Sequence, residues 1–249
     1  MKLANDFILN ANLYSKTDAD FRYEEFKTFK ALRPKKERYP IEKMQEVWID
    51  CTYFQIKNIE GLYGELDGKL LIIFRGTDSL FDWWRNTLLF KKTVPYKSDG
   101  TNRKIKVHGG MLKSYMTVRD FILDVVKKSE YKEVVFHGHS KGGALSYLAA
   151  LDVQYNLKEK DVKVFTIGPP RIGNKHFANS FNRRLPDTFW YNHGNDLVPQ
   201  LLPKFLGFEH VGVDFQLGKE RDRKIGTFKD HNWQLYYDAL YDRLRNQPD

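Results

Sequence analysis

Val134-Val135-Phe136-His137-Gly138-His139-Ser140-Lys141-Gly142-Gly143-Ala144-Leu145-Ser146-Tyr147-Leu148 reads as a strand, a tight turn and a helix in direct succession. The apolar run from Val134 to Phe136 suits a buried strand, and the residues from Gly143 to Leu148 open a helix. Between them, residues 138–142 fit Gly-x-Ser-x-Gly. That spacing carries little weight alone, but it marks a nucleophile elbow when a strand leads in and a helix leads out. Such a turn is tight enough for neighbouring side chains to collide, so glycines stand two positions on either side of Ser140. The serine is then expected at the sheet edge with its oxygen exposed, near the positive end of the following helix.

On both sides of this stretch, short apolar strands alternate with amphipathic helices. Strands are expected at 52–56, 63–66, 70–74, 134–137, 162–167, 188–191 and 209–215, and helices at 111–126, 144–155, 174–185 and 232–244. Before them, Phe7, Ile8, Leu13, Phe21, Phe26, Phe29 and Leu32 recur at helical intervals until Pro34 stops the pattern. This order builds an α/β architecture, a mostly parallel central sheet with helices on both faces, preceded by a helical N-terminal segment over 1–45. No repeat, low-complexity tract or Gly/Ser linker divides the chain, so residues 1–249 are expected to form one domain. In such sheets the chemistry gathers at the carboxyl ends of the strands.

The chain's 249 residues are 41% hydrophobic and 15% aromatic, enough for a sizeable core, which excludes disorder as the main state. Lys and Arg number 41 against 32 acids, and the net charge of +9 favours anionic surfaces or substrates. The charges are mixed along the chain. The one cluster, Arg33, Lys35, Lys36 and Arg38, contains Glu37 and reads as a solvated loop, so no nucleic-acid partner is expected. Cys51 is the only cysteine, which excludes an intramolecular disulfide and any cysteine-based zinc or redox site. No apolar run of about 18 residues occurs, so no transmembrane segment is expected. Asp6 comes early and only a short apolar stretch precedes Asn10, which does not read as a secretory signal. A cytoplasmic setting is expected, with peripheral contact at a membrane or lipid surface.

A serine hydroxyl needs a base, and the base needs an orienting acid, in the chain order Ser, then Asp or Glu, then His. Asp196 is the best acid, because it follows the strand at 188–191 in a turn-rich stretch, where loops can aim it at a histidine. Asp187 precedes the same strand, at the wrong edge of the sheet. Of the histidines beyond Asp196, His210 opens an alternating strand and reads as a packed group. His231 lies on a loop before the last helix, free to reach the serine, and is the favoured general base. The oxyanion needs two donors. The amide of Lys141 is one, and Thr77, in the turn Phe74-Arg75-Gly76-Thr77, offers the second through its amide and hydroxyl. His137 and His139 have no carboxylate at ligand spacing, and neither a metal nor a cofactor is expected. Directly after the turn, Leu80, Trp83, Trp84 and Leu88 share one helical face, with Phe81 beside them. That periodicity fits a buried core helix as well as a flap, over 79–105, that covers a greasy pocket.

Together these segments resemble the class 3 lipases, the fungal-lipase-like branch of the α/β-hydrolase fold. The resemblance runs in order through Phe74-Arg75-Gly76-Thr77, Val107-His108-Gly109-Gly110-Met111, residues 138–145, Gly168-Pro169-Pro170-Arg171-Ile172-Gly173-Asn174, Asn195-Asp196 with Val198-Pro199, His210-Val211-Gly212 and Asp230-His231. It covers about residues 50–245 and departs from the family at Lys141, where an apolar residue is usual. The resemblance implies a serine ester hydrolase of acyl lipids, a lipase or carboxylesterase. Catalysis would rest on Ser140, Asp196 and His231, the oxyanion on Thr77 and Lys141, and Leu80, Phe81, Trp83 and Trp84 would meet the substrate. The expected partners are a lipid or ester substrate and, transiently, a lipid interface. Two other readings compete: a phospholipase acting on anionic lipid, suggested by the charge and Lys141, and a catalytically silent lipid-binding protein of the same fold.

Overall fold

The computed structural model describes residues 51–66, 68–76, 91–95, 104–218, 226–232, 235, 236 and 238–240. The helical expectation over 1–45 lies outside them. The chain enters as an antiparallel meander of β1 (Cys51–Ile56), β2 (Ile59–Leu66) and β3 (Lys69–Phe74). Lys57 at φ +55° and Gly68 at φ +71° supply the left-handed residues that two such tight turns require. From β3 onward the sheet is parallel, through β6 (Glu133–His139), β7 (Asp161–Ile167), β8 (Thr188–His193) and β9 (Val213–Leu217). The strand order is β1-β2-β3-β6-β7-β8-β9. Between β3 and β6 in the chain, β4 (Lys91–Thr93) and β5 (Lys106–His108) pair antiparallel as a separate two-stranded sheet; β4 falls within the stretch 79–105 where sequence expects the flap, and β5 follows it.

The central strands are apolar on both faces because both are covered. Leu70, Ile72, Phe74, Val134, Phe136, Val162 and Val164 share one core with α1 (Gly109–Met116), α2 (Arg119–Lys128), α3 (Lys141–Asn156) and α4 (Lys175–Arg184). Leu71, Ile73, Val135, Phe165, Ile167, Phe189 and Tyr191 form a second core on the other face, against Tyr236 and Leu240 of the C-terminal helical residues.

Two expected elements change. The single helix over 111–126 is two helices, α1 and α2. Thr117 Oγ1 donates to Ser114 O at 2.7 Å, and the Val118 amide bonds to Tyr115 O in a tighter three-residue turn, so side chain and backbone compete with the helix ladder. The break turns Arg119 toward α3, where its Nε and Nη2 hold the fully buried Asp152 at 2.6 and 3.2 Å. The strand expected at 209–215 begins only at Val213. Gly212 bends the chain at φ +72°, packed so closely on β8 that a Cβ there would lie 2.5 Å from Thr188 O. Ahead of it Glu209 makes an isolated antiparallel bridge to Gly173, in the loop after β7, and His210 stacks on Trp190 of β8.

Candidate active site

The carboxyl ends of β3, β6, β7 and β8 meet along one rim, in register through Phe74↔Gly138, His139↔Ile167 and Ile167↔Tyr191. Ser140 leaves β6 there with φ +60° and ψ −123°, its amide donating to Ile167 O at 2.9 Å. The neighbouring positions have no room for a side chain. A Cβ on Gly138 would lie 2.2 Å from the carbonyl carbon of Gly142, and one on Gly142 would lie 2.2 Å from Phe74 O. A strained serine between obligatory glycines is the elbow that the spacing predicts.

The hydroxyl is not exposed as expected: Ser140 is 1% accessible. The turn after β3 lies against it, with the Cβ position of Gly76 3.6 Å from Ser140 Cβ. Arg75 anchors that turn by pairing with Glu60, and its amide donates to Glu60 O at 2.9 Å. Ser140 Oγ has no hydrogen-bond partner among the described residues. The Lys141 amide stands in the first turn of α3, where N–H groups lack a partner within the helix. The Lys141 side chain is buried, and burial pulls its ammonium below the ordinary range. Lys141 therefore does not present an open ammonium to solvent.

Asp196 and His231 meet although they come from separate loops. His231 Nδ1 and Asp196 Oδ2 are 2.6 Å apart, and the other carboxylate oxygen accepts the Val198 amide at 2.8 Å. Asp196 is fully buried and His231 is 8% exposed. Asp196 and Thr227 form a parallel bridge, and the Asp230 carboxylate accepts the Asn195 amide at 2.9 Å, which fastens the histidine's loop to the acid's. The His231 ring stacks on His139, the residue that precedes Ser140, with centroids 4.4 Å apart. Its Nε2 is buried and has no hydrogen-bond partner among the described residues. His210 is occupied elsewhere: its Nε2 lies 2.7 Å from Pro199 O and its ring stacks on Trp190 at 4.2 Å. Thr77, Leu80, Phe81, Trp83 and Trp84 lie outside the described residues.

Tyr236 escaped the sequence reading. Its hydroxyl donates to Asp196 Oδ2, the oxygen that also holds His231. Burial first, then the negative Asp196, push the phenol well above its ordinary pKa, so it keeps its proton and remains the donor. Gly168, at φ +54°, lets the three groups close up: a Cβ there would lie 2.9 Å from Asp196 Oδ2 and 3.0 Å from both His231 Cε1 and Tyr236 Oη. The only signal in the sequence is a tyrosine shortly after His231, since a buried hydroxyl needs a polar partner.

Tyr236→Phe gives the first expected result. Without the phenol, Asp196 Oδ2 keeps only its bond with His231 Nδ1, the pair is held less firmly, and kcat is expected to fall about threefold to tenfold, the worth of one hydrogen bond, with KM unchanged. A loss of thermal stability with kcat unmoved would reduce Tyr236 to packing.

A sheet of this order, with a serine elbow and an Asp–His pair at its carboxyl ends, defines the α/β-hydrolase fold. Within it, the profile of the class 3 lipases matches residues 71–206, and the chain belongs to that family. His231 lies beyond the matched span. A secreted mono- and diacylglycerol lipase of Malassezia restricta is 30% identical over 173 residues, 60% of this chain and 56% of that protein. A lipase of Rhizomucor miehei is 33% identical over 160 residues, 61% of this chain and 42% of that one. The chain thus spans about half the length of the curated relatives it matches. Among solved structures, Rhizomucor miehei triacylglyceride lipase superposes with a TM-score of 0.68 at 22% identity, over 87% of this chain and 93% of that one. A triacylglycerol lipase described as having a serine protease triad superposes at 0.69 and 23%, over 87% and 94%. At such identities the likeness shows the fold. These comparisons correct the cytoplasmic expectation. Several relatives are named secreted lipases, and the polar start of this sequence is no ground for placing the protein inside a cell. No helix among the described residues is long and apolar enough to cross a membrane.

Proposed function

We propose that the protein is a serine ester hydrolase of acyl lipids, working on acylglycerol esters through an acyl-enzyme on Ser140. The observation that carries this reading is the buried Asp196–His231 pair, stacked on His139, with Ser140 Oγ and His231 Nε2 both left without a partner. In the proposed cycle His231 Nε2 takes the hydroxyl proton as Oγ attacks the ester carbonyl. The tetrahedral oxyanion rests on the amides of Lys141 and Thr77. Collapse breaks the bond to the alcohol, which leaves with the proton from His231. Water, activated by the same imidazole, then releases the fatty acid and restores Oγ–H.

The substrate class follows from the relatives, which are named mono- and diacylglycerol lipases and lipases. The buried Lys141 removes one argument for an anionic phospholipid. Because Ser140 is 1% accessible, an ester reaches Oγ only after residues over it move. Leu80, Phe81, Trp83 and Trp84, in the stretch 79–105 that the sequence reads as a flap, are assigned to the acyl chain. Hydrolysis of mono- and diacylglycerol should be measured beside phosphatidylcholine, with Ser140→Ala as control. Release of fatty acid from the glycerides, lost by about 10⁶-fold in the variant, is expected. Release from the phospholipid alone would transfer the site to a phospholipase, and release surviving in the variant would remove Ser140 from the reaction.

A further inference from the structure

Among the described residues Phe205 is the large aromatic side chain turned furthest out to solvent, ahead of Phe228 at 42%. Phe205 is 86% exposed and the adjoining Leu206 is 38% exposed, in the single 3₁₀ turn Lys204–Leu206. The turn is not slack. Leu202 before it and Phe208 after it are buried to within 1%, and Gly207 closes it in the left-handed conformation at φ +73°. From β4, Lys91 Nζ donates to Leu206 O at 2.6 Å and sits 4.3 Å over the Phe208 ring. A fixed scaffold that presents Phe205 loses little entropy when something covers the ring.

Cations rim this turn. Lys204 is itself exposed, balanced in part by Glu209 at 3.6 Å. Lys91 is disfavoured as a cation, first by burial and then by the charge of Lys106 on the paired strand β5. An anion set against the turn would relieve that repulsion.

The turn is also tied to segments that surround the site. Gly173, in the loop leaving the carboxyl end of β7, bridges Val107 of β5 on one side and Glu209 on the other. The segment that bears Phe205 continues from the Asp196 loop, which leaves the carboxyl end of β8.

We infer that Phe205 and Leu206, rimmed by Lys91, Lys106 and Lys204, dock the protein onto an anionic lipid surface. The ring enters between headgroups while the lysines meet their negative charge, the pairing of apolar insertion and surface potential that holds peripheral proteins. The choice of lipid as partner rests on the acyl-lipid reading above, so binding is to be measured apart from hydrolysis.

The experiment uses the Ser140→Ala chain, which cannot degrade the vesicles, in sedimentation with phosphatidylcholine alone and with an equimolar mixture of phosphatidylcholine and phosphatidylglycerol. Binding to the mixture is expected to exceed binding to phosphatidylcholine and to fall as salt rises. Phe205→Ser should weaken it about tenfold. Lys106→Gln should weaken binding to the mixture by about fivefold and leave phosphatidylcholine unchanged. Equal binding by Phe205→Ser and its parent overturns the inference. So does a dimer in solution that Phe205→Ser converts to monomer, which would make a second copy the occupant. The chain carrying Ser140 and Phe205→Ser should hydrolyse a soluble short-chain ester like its parent. If neither hydrolyses it while vesicle binding behaves as stated, the catalytic reading fails and the docking surface stands.

Discussion

Asp196→Asn is expected to lower kcat by about 10⁴-fold while leaving the chain folded. Asp196 Oδ2 accepts from both His231 Nδ1 and Tyr236 Oη, and Oδ1 accepts the Val198 amide. Asparagine can keep the bond from Val198 through its oxygen, but its amino group then faces two donors. The imidazole answers by moving its proton to Nε2, the tautomer that cannot take a proton from Ser140 Oγ. Because asparagine matches the shape of aspartate, thermal unfolding should move far less than activity. A fall in kcat of under tenfold would mean that Asp196 is a structural acid and that His231 works unaided.

The second large effect is on stability. Arg119→Ala should lower the unfolding free energy by about 3 kcal/mol, the lower end of the range for breaking a buried ion pair. For a chain of this size that corresponds to a Tm lower by about 6–12 °C. Asp152 is fully buried and accepts from Arg119 Nε at 2.6 Å, Arg119 Nη2 at 3.2 Å, Tyr115 Oη at 2.8 Å and Asn156 Nδ2 at 2.6 Å. The variant leaves a carboxylate with two neutral donors and no cation. The Arg119 side chain is 23% exposed, so water entering by that route softens the loss, which is why the lower figure is expected. Removing both charges in Arg119→Met, Asp152→Leu should recover much of the deficit, because neither ion is then left unpaired. Activity per folded molecule should be unchanged, since the network lies along α3 away from Ser140. A Tm within 2 °C of the parent in Arg119→Ala would contradict this account.

The elbow was legible because its demands are local. A strand, two glycines and a helix stand within one short stretch, and the steric reason for each glycine can be argued without knowing the rest of the molecule. The same holds for the buried strand at 70–74 and for the helix expected at 174–185, which the structure starts at Lys175 behind an Asn174 side chain that accepts the Phe177 amide at 3.0 Å. The Asp196–His231 contact was legible from chain order, with Asp196 in the loop after a strand and His231 in the loop before the last helix. What escaped depends on contacts between distant segments. Nothing in the periodicity of 111–126 marks Thr117, which carries no helix-breaking character of glycine or proline. Its hydroxyl ends α1 by competing for Ser114 O. The alternation at 209–215 does not survive as burial: Val211 is buried but Val213 is exposed, and His210 stacks on Trp190 instead of joining a strand. Tyr236 and the part played by Asp230 depend on contacts that no local pattern carries: the phenol donates to Asp196 Oδ2, and the Asp230 carboxylate accepts the Asn195 amide.

The central claim is that folding joins Ser140, His231 and Asp196 into one proton relay and so activates a single serine. Treating the protein with a fluorophosphonate and mapping the adduct by mass spectrometry tests it most directly, because only an activated hydroxyl reacts at a useful rate. The account predicts one adduct, on Ser140, whose formation slows at least a thousandfold in His231→Ala. An intact, folded protein that takes up no label, or that is labelled equally fast without His231, would contradict it.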